Sequence, residues 1–128
     1  MEYNEKEFFE FEKSTSIFLN SLVDFFLIEF KGNSFSAKIN FNFPHRKDYQ
    51  NIALNIEEIS AISINQTIQS IGQQIHNYKF LIYNDSYYLS LDPDESSIEL
   101  TEEDQDFFLF KKLTAHISSR TGEDMQQT

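Results

Sequence analysis

The stretch FSAKINFNF, Phe35 to Phe43, places Phe35, Ala37, Ile39, Phe41 and Phe43 at every second position, with Ser36, Lys38, Asn40 and Asn42 between them. Successive side chains of a β-strand point to opposite faces. This run therefore predicts a strand with one apolar and one wet face. Turn residues Gly32-Asn33-Ser34 stand directly before it, preceded by DFFLIEFK, Asp24 to Lys31, which is rich in aromatic and branched side chains. The two runs read as an antiparallel hairpin. Pro44 stops the second strand, and His45-Arg46-Lys47-Asp48 follows as a polar loop.

The same reading extends outward. NIALNIEEISAISIN, Asn51 to Asn65, alternates through Ile52, Leu54 and Ile56 and shifts phase at Glu57-Glu58, as at a bulge or tight turn. YKFLIY (Tyr78–Tyr83) and SYYLSL (Ser86–Leu91), joined by Asn84-Asp85, form a second hairpin candidate, and Asp106 to Ile117 reads as the last strand. Gln66 to Ile75 is ambiguous, because Ile68, Ile71 and Ile75 have helical spacing but Gly72 interrupts it. Two periods compete at the N-terminus. Phe8, Phe11, Thr15, Phe18 and Leu22 have helix-like spacing, whereas Phe9 to Lys13 alternates and Ser14-Thr15-Ser16 suits a helix interior poorly. The weight falls on a strand at Phe8–Lys13 followed by a short irregular or helical piece through Asn20. The expected fold is mainly β, a single antiparallel sheet or sandwich-like domain with little helix; the alternative is α+β with an N-terminal helix. Phe35, Ile39, Phe41, Ile52, Leu54, Phe80, Ile82, Leu89 and Phe108 are expected to face inward.

The 128 residues, 14 phenylalanines and six tyrosines suffice for one core, so a single domain is expected over residues 1–119. The remainder, 120–128 (RTGEDMQQT), reads as a flexible tail. Cysteine is absent, which excludes disulfides and thiolate sites and fits a reducing compartment. The acidic start, MEYNEKEFFEFEK, lacks the basic and apolar regions of a secretory signal. No apolar run approaches the ~18 residues of a membrane span. The expected location is the cytoplasm, and the sequons at Asn65 and Asn84 are then chance matches.

Charge is the strongest functional signal. Asp92 to Asp106, DPDESSIELTEEDQD, carries eight carboxylates and no lysine or arginine, within a chain of formal net charge -11. Such a surface repels nucleic acid and anionic lipid and attracts basic proteins. The candidate partner-binding residues are the carboxylates Asp92, Asp94, Glu95, Glu99, Glu102, Glu103, Asp104 and Asp106. Tyr83, Tyr87 and Tyr88 join them, because tyrosine offers an apolar body with a polar tip. The bland alternative is a solvated loop that confers solubility and discourages edge pairing.

No motif for chemistry stands out. Asp92, Asp94, Ser96 and Glu103 match positions 1, 3, 5 and 12 of a calcium loop, but the glycine required at position 6 is Ser97, Glu99 occupies an apolar position, and the flanks read as strands. His45, His76 and His116 lack metal-binding spacing, and there is no nucleophile elbow and no glycine-rich phosphate loop. Neither a metal nor a cofactor is expected.

Three segments carry a resemblance: LNSLVDFFLIEF (Leu19–Phe30), YYLSLDPDE (Tyr87–Glu95) and EEDQDFFLFKKL (Glu102–Leu113). Their order, with an alternating strand after the first, resembles a group of small bacterial proteins that includes immunity proteins of polymorphic-toxin systems. Where a His-Asp pair is expected in the first segment, this chain has Val23-Asp24. The resemblance implies an inhibitor that binds a toxin and has no chemistry of its own. The expected function is thus an acidic, non-enzymatic immunity protein neutralising a basic toxin domain such as a nuclease. One alternative is a phage-encoded inhibitor of a host defence complex acting by charge mimicry, and another is a small enzyme.

Overall fold

The computed structural model describes residues 1–64 and 74–120. In chain order the elements are β1 (Glu2–Asn4), α1 (Glu5–Thr15), β2 (Leu22–Lys31), β3 (Ser34–Asn42), β4 (Tyr49–Ser63), β5 (Lys79–Tyr83), β6 (Ser86–Asp92) and β7 (Gln105–Ser119). Among the described residues they form one antiparallel sheet in the order β2-β3-β4-β7-β6-β5, with β1 added to β7. Strand β7 is the spine. It pairs along its length with β4, while its first half pairs with β6 and Thr114 to His116 pair with β1. The mainly β, single-sheet expectation holds, as do both hairpins and the closing strand.

The alternation at Phe35–Phe43 behaves as read, with Ala37, Ile39, Phe41 and Phe43 buried. At the strand end, however, Phe35 is 39% exposed and stacks on Phe30 across the hairpin, so it lies outside the core. Ile82 is likewise corrected. It lies on β5, at the end of the strand order among the described residues, and it is 61% exposed. The phase shift at Glu57-Glu58 is a bulge against β3: Glu58 has φ 53, and the register moves from Ala37↔Ile56 to Phe35↔Ile59. The extra residue bends β4 and returns Ile59 to the buried face.

The N-terminus is a helix, and the strand expected at Phe8–Lys13 is wrong. A capping box starts it. The Asn4 side chain accepts from the Glu7 N–H, and the Glu7 carboxylate accepts from the Asn4 N–H, both at 2.9 Å. Glu5 and Glu7 in the first turn and Lys13 in the last suit the helix dipole. Ser16, in the left-handed region, closes it with its N–H on the Glu12 carbonyl. The alternation at Phe9–Lys13 spans too few residues to compete with these end signals. Helix α1 covers the inner face of the sheet, placing Phe8 against Phe18 and Phe80, Phe9 against Phe80 and Tyr87, and Phe11 against Tyr49.

Most of the ambiguous Gln66–Ile75 stretch lies outside the described residues, although Ile75 is buried and exchanges backbone hydrogen bonds with Asn20 and Ser21. Of the expected tail, 121–128 lies outside them too. Arg120 belongs to the folded body, since its guanidinium donates to the carbonyls of Phe43 and Arg46. No helix among the described residues is long and apolar enough to cross a membrane.

Phe41, fully buried and 4.8 Å from the Phe18 ring, ties the sheet to the segment after α1. Phe41→Ala should cost about 3–5 kcal/mol of unfolding free energy in urea titrations. A loss below about 1 kcal/mol would contradict this placement in the core.

Candidate functional site

The acidic run is a folded loop clasped to the outer face of the sheet. Strand β6 points Tyr87, Leu89 and Leu91 toward the core, so Tyr88 and Ser90 fall on the opposite face. Tyr88 is nevertheless buried, because the loop from Pro93 to Asp104 folds back over it. Asp104 is the clasp. One of its carboxylate oxygens takes the Lys79 ammonium at 2.8 Å and the Asp94 N–H at 2.8 Å; the other takes the Tyr88 hydroxyl at 2.9 Å and the Thr101 N–H at 3.0 Å. Lys79 also donates to the Glu99 carbonyl at 2.6 Å. Both charged side chains are almost fully buried. Burial pushes the Asp104 carboxyl upward, but hydrogen bonds from Lys79, Thr101, Asp94 and Tyr88 outweigh it and hold the group below its usual range. The Tyr88 hydroxyl is pushed up by burial and by its bond to Asp104.

This geometry divides the candidate residues. Asp104, Asp106 and Tyr88 are buried and serve the fold, and Tyr87 is partly buried against Phe9, Phe80 and Phe110. Asp92 and Asp94 are half-buried, and Asp94 accepts from the Ser96 N–H and hydroxyl. Glu95, Glu99, Glu102, Glu103 and Tyr83 remain exposed. Beside them lie apolar side chains that the sequence reading passed over: Ile98 at 88% exposure, Ile82 at 61% and Leu19 at 41%. An isoleucine inside a run of carboxylates was the available signal. The outcome is an apolar strip along the β5 edge, rimmed by glutamates.

Two hollows open on that strip. One, of about 530 Å³, runs between Phe9, Ile82, Tyr83, Ile98 and Leu100. The other, of about 400 Å³, lies between the end of α1, the Asn77–Leu81 segment and the loop at Glu95–Ile98. Glu12 lines this second hollow at 2% exposure, and its carboxylate accepts a hydrogen bond from the Tyr78 hydroxyl. Burial raises Glu12 to about 7, against a smaller opposing pull from Lys13. Sequence reading missed Glu12 because, read as part of a strand, it fell on the outward face.

His45, His76 and His116 are exposed and separate, and Asp24, which follows buried Val23, accepts from Asn40 and Asn42 on the outer face. Among the described residues no group of three or more His, Asp or Glu is placed to hold a metal. No family model, curated protein or solved structure matches the chain.

Two expectations follow. Asp104→Asn leaves the buried Lys79 ammonium without its counter-ion and should destabilise by about 3–5 kcal/mol. The wild-type contribution of Asp104 is present above the unfolded carboxylate value near ~3.9 and is lost as pH falls through its lower folded value. Acid titration of wild type against the variant, followed by melting, reads this out; parallel curves would disprove it. Glu12 has the opposite sign. Its folded pKa lies above the unfolded one, so the native state retains a proton and stability declines as pH rises from about 4.5 to about 7. Glu12→Gln should flatten that decline and stabilise alkaline samples by on the order of 2–3 kcal/mol.

Proposed function

We propose that this chain is an acidic protein-binding inhibitor of the immunity type, neutralising a basic toxin domain such as a nuclease by occlusion and without catalysis, in the cytoplasm. The observation that carries the proposal is the clasped loop, whose exposed Glu95, Glu99 and Glu102 line hollows shared with Ile98, Ile82 and Tyr83, with Glu103 exposed beside Glu102 in sequence. An apolar centre with a charged rim suits protein recognition. The centre supplies buried contact, while the rim steers encounter and rejects partners of like charge. The net charge of -11 extends the attraction to basic partners and disfavours direct contact with nucleic acid. The buried Lys79–Asp104 clasp supports the same reading, because a loop ordered before binding loses little entropy on docking.

An enzyme is the reading that Glu12 would serve, since a carboxyl titrating near neutrality beside Tyr78 suits proton transfer. The ammonium groups lining its cavity are directed elsewhere: Lys13 donates to the Phe80 carbonyl, and Lys79 to Asp104 and the Glu99 carbonyl. A binding role accounts for the carboxyl, the charge and the apolar strip together.

The test replaces Glu95, Glu99, Glu102 and Glu103 together with glutamine. These four are exposed, so the melting temperature should hold. Association with the basic partner captured from the native host should slow by roughly tenfold or more at low salt, and its salt dependence should shrink. Unchanged association rates for the variant would reject the acidic surface as the interface.

A further inference from the structure

We infer that the cavity between the end of α1, the Asn77–Leu81 segment and the loop at Glu95–Ile98 is a seat for one basic side chain, a lysine or arginine, of the protein partner, with Glu12 as its counter-ion. The inference rests on the reading that the partner is a basic protein.

The cavity has the parts such a seat requires. At its floor Glu12 is 98% buried, and among the described residues its carboxylate is met by one donor, the Tyr78 hydroxyl, although it has room for roughly four. At the mouth the Asn77 side-chain amide holds the Glu95 carboxylate at 3.2 Å, so a second negative group stands over the entrance. Leu19, Phe80 and Ile98 supply apolar wall between them, matching the methylene stem below a charged head. The volume of about 400 Å³ lies in the range of pockets that take small groups.

Charge selects the occupant. Among the described residues, the charged or titratable groups that line the cavity with Glu12 are Lys13 on its own helix, Tyr78 and Lys79 on the segment opposite, and Glu95 on the loop. Lys13 lies with its ammonium on the Phe80 carbonyl at 2.8 Å and 4.8 Å from the Phe9 ring centre, and Lys79 is held by Asp104. Among the described residues neither lysine forms an ion pair with Glu12. A glutamine would fill the same space without the cost of a buried carboxyl that lacks a cation. A guanidinium or ammonium entering from outside supplies that cation, and it makes the ionised form of Glu12 the favoured one. Binding therefore expels a proton from Glu12 near neutral pH, and affinity rises as pH increases through that range.

The seat can be tested without the partner. Nα-acetyl-arginine methylamide, titrated into isotopically labelled protein, should give saturable NMR shifts at Glu12 and Tyr78 and lower the Glu12 titration midpoint. The citrulline analogue, which has the same shape without the charge, should give neither effect. Glu12→Gln should weaken the arginine probe by roughly tenfold or more above the Glu12 midpoint, and Tyr78→Phe provides a second, conservative change. Equal binding of the arginine and citrulline compounds would overturn the inference. So would shifts confined to the exposed glutamates, or an unchanged affinity in Glu12→Gln with the fold intact. Partner binding separates the two readings. If the four-glutamine loop variant loses affinity while Glu12→Gln keeps it, the seat fails and the acidic interface stands. If the probe seats at Glu12 but neither variant alters association with the partner, the assignment to a protein partner fails.

Discussion

The Asp104 carboxylate is the constraint on which the acidic surface depends. It lies inside the protein, and Lys79, Tyr88, Asp94 and Thr101 all donate to it. These donors come from β5, from β6 and from both ends of the loop, so one side chain ties the sheet edge to the segment that covers it. Burying an ion pair is costly unless nearly every lone pair and proton finds a partner, and here backbone N–H groups complete the set. An arrangement of this kind adds little net stability compared with an apolar plug of equal volume. It supplies a unique position for a loop that would otherwise repel itself. The four outward glutamates are held at close quarters because one inward aspartate has taken up the lysine.

The hairpins and the alternation of β3 and β4 were legible because strand period and turn chemistry are local, and Phe41 or Ile52 faces inward whatever lies across the core. The bulge at Glu57-Glu58 was legible for the same reason, as a break in period. Position within the sheet was not legible. Whether Phe35 and Ile82 are covered depends on which strands lie at the ends of the order β2-β3-β4-β7-β6-β5, a long-range property absent from either run. In the acidic segment, composition could not show which carboxylates turn inward. Asp104 and Asp106 stand beside Glu102 and Glu103 in sequence and on the opposite side of the loop surface in space. The helix was not legible from Phe8 to Asn20, where two periods overlap; its deciding signal, the Asn4–Glu7 capping box, lies upstream of that stretch.

Glu12 and Asp104 are two buried carboxyls resolved in opposite ways. Asp104 is surrounded by donors and a lysine, so its charged form is the cheaper one and its pKa falls. Glu12 has a tyrosine hydroxyl and little else, so desolvation dominates and its pKa rises to about 7. The difference lies in what surrounds each group, since both are nearly removed from solvent. A satisfied carboxylate of the first kind is a structural part, because all of its valences are spent within the fold. A carboxyl of the second kind is incomplete: the free chain keeps it neutral at some cost, because the pull of Lys13 is smaller than the effect of burial. The first lies beneath the acidic loop and the second opens beside it, under the same strip of Leu19 and Ile98. A surface that fixes its own charges in place while one carboxyl at its edge has no salt bridge among the described residues is the arrangement on which the proposed seat for a basic side chain rests.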